Sequence, residues 1–128
     1  MEITVQQSKP AAEGEYAITF SSPLGNAFGN WPGSPPTLGA TYRVELSTGA
    51  PLTWGNDIKA SDKREYRLNS AGSKVVINAL LEGTEEAGLV FLRIGNTILM
   101  VDTLGPTPPV GTFVEAHLQD LTVVDTGI

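Results

Sequence analysis

The chain has 128 residues, enough for one domain that buries roughly two-thirds of its unfolded surface, and 1–128 reads as a single β-barrel domain. It has no cysteine, which excludes disulfides, thiolate nucleophiles and cysteine-ligated zinc. The net charge of −6 lies in the last third, because residues 1–81 balance seven acids with seven bases while 82–128 set seven acids against Arg93 alone, a bias that suits a basic partner and disfavours nucleic acid.

The start, MEITVQQSKP, has no basic stretch followed by an apolar one, so no cleaved signal is expected. No apolar run approaches the roughly 20 residues of a membrane helix, and a cytoplasmic protein with no membrane contact is the expectation. Glu2–Val5 and Glu15–Phe20 alternate as strands do, the second placing Tyr16, Ile18 and Phe20 on one side. Ser21–Gly39 holds four glycines and four prolines, and it reads as a long loop carrying Leu24, Phe28 and Trp31. Two uses of that loop are open. Phe28 and Trp31 either fold back to cap a barrel or cover an apolar face, or they bind a sugar or other small ligand from a stiff backbone.

Thr41–Ser47 alternates cleanly, with Tyr42, Val44 and Leu46 opposite Arg43, Glu45 and Ser47. No segment keeps a helical period, so at most one short helix or turn is expected, with Lys59–Glu65 the place for it. Lys59–Lys74 concentrates five of the eight basic residues around Tyr66, but Asp57, Asp62 and Glu65 interrupt them, so a solvated face is expected over a nucleic-acid site. Ser73–Glu82 places Val75, Ile77, Ala79 and Leu81 on one face, and its β-branched start predicts a strand despite the AlaLeuLeuGlu end.

The sharpest local signal is Leu89–Asp102, LVFLRIGNTILMVD. Gly95-Asn96 predicts a type II′ hairpin turn, since glycine supplies the positive φ needed at its first position. The turn fixes the register, setting Ile94 opposite Thr97, Leu92 opposite Leu99 and Val90 opposite Val101. The other face carries Leu89, Phe91 and Arg93 against Asp102, Met100 and Ile98. Both faces are largely apolar, so both need cover. If nothing in the chain covers Phe91, Ile98 and Met100, that face is a partner site or a homodimer interface.

After the connection Leu104–Gly111, the segment Gly111–Asp125 changes phase. Val114, Ala116 and Leu118 share a face, but Leu121 and Val123 fall at odd spacing from them. A β-bulge near Gln119-Asp120 is expected, in a strand that bends round a barrel or passes between two sheets. His117, the sole histidine, lies opposite the apolar set with Glu115. No Gly-x-Ser-x-Gly elbow accompanies it, so an exposed strand histidine is expected and a hydrolase using it ranks low. One histidine without cysteine leaves no common zinc site, Asp57–Asp62 lacks the calcium-loop spacing, and Gly72-Ser73-Lys74 is not a phosphate loop. No metal or cofactor is expected.

Thr41–Ser47, Ser73–Glu82, the tight hairpin and the bent last segment together resemble small OB-type barrels, and GTFVEAHLQDLTVVDTGI following GNTILMVD is similar to the closing strands of small bacterial β proteins. The resemblance covers residues 40–128 and implies an antiparallel barrel, OB-like or a closed sandwich, of the kind that binds oligonucleotides or oligosaccharides across one sheet face. The functional expectation is a non-catalytic protein that binds a protein partner, one form being an immunity-type inhibitor of a basic toxin. Its candidate contacts are the acidic Glu115 and Asp120 with His117, the apolar Phe91, Ile98 and Met100, and the aromatic Phe28 and Trp31. A carbohydrate or small-ligand module is the alternative, and a structural or assembly component is another.

Overall fold

Alternation of apolar and polar residues, punctuated by glycine turns, dictates strands nearly everywhere. A computed structural model describes residues 1–127. Twelve strands follow in order: β1 (Glu2–Pro10), β2 (Glu15–Ser22), β3 (Gly25–Pro32), β4 (Thr41–Ser47), β5 (Leu52–Thr53), β6 (Ile58–Ala60), β7 (Arg67–Ala71), β8 (Lys74–Thr84), β9 (Leu89–Ile94), β10 (Thr97–Leu104), β11 (Phe113–Leu118) and β12 (Thr122–Asp125). The protein is all-β. The helical content of the described residues is one 3-10 turn at Glu86–Gly88, which keeps to the expected limit of one short helix or turn but not to its expected place, since β6 and an irregular loop occupy Lys59–Glu65.

Five strands close a barrel in the order β1-β2-β3-β12-β4, with β4 returning to β1 where Glu2 faces Arg43. All its pairings are antiparallel except β12 with β3. This is a five-stranded Greek-key barrel of OB type, because the last strand inserts between the third and fourth. Its strands come from residues 2–47 and 122–125, so the barrel does not coincide with the 40–128 span of the resemblance. Residues 52–118 instead form a second sheet, β5-β10-β9-β8-β11-β6, with β7 on the free half of β8. A bridge between Trp54 and Ile58 nearly closes this sheet on itself.

Ser21–Gly39 is therefore not a loop, since β3 fills its middle and pairs along its whole length with β2. Nor does Gly111–Asp125 carry a β-bulge. The phase change at Gln119-Asp120 is a break at which the chain leaves the second sheet and enters the barrel, so Leu118 at the end of β11 and Leu121 just before β12 are both buried. The ladder irregularities lie elsewhere, at Val5/Gln7 in β1 and Leu81/Gly83 in β8.

The hairpin register is the one the turn requires. Ile94 pairs Thr97, Leu92 pairs Leu99 and Val90 pairs Val101, with Gly95 at φ +64° and Asn96 outside the positive-φ region, as a type II′ turn demands. A continuous apolar core joins the two sheets, running from Ile3, Ile18 and Phe20 through Leu121 and Val123 to Ile77, Leu92, Leu99 and Val114.

The seam between them is held by backbone. The Leu68 amide donates to the Leu24 carbonyl at 3.1 Å, and where the chain enters the barrel the Asn30 amide donates to the Leu121 carbonyl at 2.9 Å, extending the β3–β12 ladder. Asp120 adds a clamp at the crossover. Its carboxylate accepts the Thr48 hydroxyl and the amides of Gly49 and Ala50, both at 2.9 Å, tying the β4–β5 connection to the β11–β12 break. Partial burial pushes this carboxyl up, but the Thr48 hydroxyl and the two amides outweigh it and hold the group below its ordinary 3.8. A folded value below the unfolded one stabilises the protein above pH 4, and that stability drains away as pH falls through the lower folded value. Asp120→Ala is expected to cost about 1 kcal/mol near neutrality, discounted for solvent exposure, or about 3–5 °C in Tm. The variant's deficit should shrink as melts are taken to progressively more acid pH below the ordinary carboxyl range, and a deficit independent of pH would refute the clamp.

Candidate binding surface

The strongest candidate is the outer face of the β9–β10 hairpin. Its inner residues, Val90, Leu92, Ile94, Leu99 and Val101, are fully buried, which consumes one of the two apolar faces. On the other face Phe91 is half-buried, its ring lying over the Gly83 backbone at the β8 bulge. Arg93 is held by Glu82 through two hydrogen bonds, Nε to Oε2 at 2.6 Å and Nη2 to Oε1 at 3.1 Å. Beyond them Ile98 is 38% exposed and Met100 is 59% exposed. Nothing else in the described chain covers them.

This face opens onto a groove of about 550 Å³ between the two sheets. Ile98 and Met100 form one wall, and Glu45, Ser47 and Val124 of the barrel form the other. Val124 is itself 39% exposed, because Val123 takes the buried position beside it. One acid, Glu45, lines the groove, and Asp102 stands two positions beyond Met100 on the same face of β10, while Arg93, across from Ile98, is neutralised by Glu82. No lysine or arginine lines it. Such a wall can pack apolar side chains and attract cationic ones.

The remaining candidates divide. Trp31 points into the barrel at 3% exposure, donates its indole N–H to the Ser34 carbonyl at 2.9 Å and meets Tyr42 edge-on with centroids 4.8 Å apart. It is a core residue closing the barrel, with no face left for a ligand, and neither it nor Phe28 covers the hairpin. Phe28, one position out of phase, projects from the outer face of β3 into a concavity of about 520 Å³ with Ala17, Thr19 and Lys9. Glu115 and His117 sit together on β11, with Nε2 of the histidine 3.2 Å from a carboxylate oxygen that Lys59 also approaches at 3.8 Å. They belong to a different strand from the hairpin. Asp120 is engaged in the crossover clamp, so its charge is already partnered.

The basic stretch is likewise tied down. The Asn78 side chain, buried on β8, donates to the carbonyls of Lys63 at 2.9 Å and Glu65 at 2.6 Å, drawing this loop across the sheet. Arg64 lies over the Phe113 ring at 5.5 Å, Tyr66 packs on the same ring and Arg67 pairs Glu65. Sequence reading missed Asn78, Glu45 and Val124. Asn78 stands where β8 alternation points to solvent, and a polar residue in that apolar run was its only signal.

Among the described residues no group of three or more acids or histidines gathers as a metal would require, and no helix is long and apolar enough to cross a membrane. Comparison with known protein families, with curated proteins and with solved structures finds no match.

Proposed function

We propose that this is a non-catalytic binding protein that recognises a basic protein partner through the outer face of the β9–β10 hairpin. One observation carries the reading: Ile98 and Met100 stand exposed in a groove that Glu45 lines and no lysine or arginine does. An exposed apolar patch with a polar margin is the usual mark of a contact surface. Charge at the rim then sets the partner's sign and makes association sensitive to salt. An inhibitor of a basic toxin is one concrete form of such a protein.

The test is association measured with wild type and with Met100→Asp, each checked for folding by circular dichroism. Removing a buried methionine contact is worth about 1.5–3 kcal/mol, so binding should weaken roughly 10- to 100-fold. Glu45→Lys should weaken it further at low salt than Glu115→Lys, which lies on another strand. A partner held equally well by Met100→Asp, or none recovered at low salt, would count against the proposal.

A second reading rests on Phe28. A partly buried aromatic on the outer face of an OB-type barrel, beside Lys9, could stack its open edge on a sugar or other small ligand. Carbohydrate arrays that bind wild type and lose Phe28→Ala would favour it over the hairpin.

A further inference from the structure

We propose that an extended segment of the basic partner adds as a strand to the free edge of β10, an inference that rests on the protein-binding reading above and specifies how the groove is filled. The two-residue turn makes Ile94 and Thr97 a hydrogen-bonded pair, and such pairs alternate along an antiparallel ladder. Thr97, Leu99 and Val101 therefore turn their peptide groups toward β9. Ile98, Met100 and Leu104 turn theirs to the opposite edge. The far end of that edge is occupied, since β5 pairs in parallel with Thr103 and Leu104, and the Leu104 carbonyl accepts the Trp54 amide at 2.9 Å. This bond independently fixes the edge that the even-numbered residues face. Along Ile98–Met100 no strand pairs there among the described residues.

An unpaired run of N–H and C=O groups is a template for another strand. Here the template lies along the same groove that exposes the Ile98 and Met100 side chains. An incoming strand would thus satisfy peptide groups and cover apolar surface together. Charge and space select its nature. Glu45 and Asp102 favour lysine or arginine on the incoming segment, and no cation in the groove lining repels it. The barrel wall of Glu45, Ser47 and Val124 stands opposite the edge. A second copy would bring its own such wall, and its own net charge of −6, against the first.

The test begins by selecting a displayed library of random heptapeptides on the whole protein. Enriched peptides should alternate apolar with basic residues, and amide exchange at Ile98 and Met100 should slow at least about tenfold when the best one binds. N-methylation of the peptide at alternate residues should weaken binding in one phase and not the other, with each lost hydrogen bond worth about three- to tenfold. Met100→Pro, whose missing N–H faces the free edge, should weaken it comparably while Met100→Leu binds as wild type. If Met100→Pro does not fold, the N-methyl series decides alone. Binding that shifts the Ile98 and Met100 side-chain signals with unchanged amide exchange would overturn strand addition and leave the hairpin reading intact. No perturbation anywhere on the face would remove both. Amide protection that instead rises with protein concentration, without peptide, would assign the edge to a second copy.

Discussion

Gly25→Ala is expected to lower stability by about 3–5 kcal/mol. Gly25 opens β3 at φ +138°, a conformation that L residues rarely adopt. A Cβ there would stand 2.1 Å from the Leu68 carbonyl oxygen and 3.1 Å from its carbon. Those atoms are backbone of β7, so no side chain can swing aside. Either the chain twists out of its glycine conformation or β7 moves off the barrel, and both loosen the Leu68-to-Leu24 hydrogen bond at the seam. Calorimetry should show Tm lower by at least about 10 °C. A change within 1 kcal/mol would mean that barrel and sheet do not meet there.

Trp31→Ala should cost about 3–5 kcal/mol, whereas Phe28→Ala should cost less than about 1.5. The residues are three apart in one strand, yet they do opposite things. Removing Trp31 empties the barrel interior, strands the Ser34 carbonyl and strips Tyr42 of its edge-on partner. Removing Phe28 takes a ring from an open concavity. Urea titration separates them through the midpoint, with an unchanged slope certifying that the comparison is one of stability alone. Equal losses would contradict the assignment of Trp31 to the core and Phe28 to the surface.

How much of this was legible in the sequence depended on whether local chemistry decided the matter. The Gly95-Asn96 turn sets a register by itself, so every cross-strand pair of the hairpin followed from it. Thr41–Ser47 and the Val75–Leu81 face alternate without interruption, and both became strands with the expected side buried. β3 stayed hidden because GNAFGNWP has glycine where an inward apolar residue would announce a strand. A Cβ at Gly29 would stand 2.9 Å from Val123 and 3.1 Å from the Leu121 carbonyl, so the approach of β12 demands that absence. The need is tertiary and leaves no local trace.

The candidate site divides along the same line. Phe91, Ile98 and Met100 share a face by register alone. Their exposure, and the opposing wall of Glu45 and Val124, exist only because two distant segments meet. Asp120 shows the converse, as a charge that reads as free surface is consumed by amides some 70 residues earlier in the chain.

The insertion of residues 52–118 between the fourth and fifth strands of the barrel also imposes an order of events. Every strand of the second sheet is contiguous in the chain, and its hairpin can zip locally on a microsecond scale. The barrel has no such freedom, because β3 and β4 are joined through β12, which arrives only after the whole inserted sheet has been made. During synthesis β1–β4 must therefore wait with an open seam while the later sheet forms beside them. Of the five barrel strands, the last to leave the ribosome is the one that locks the other four in place.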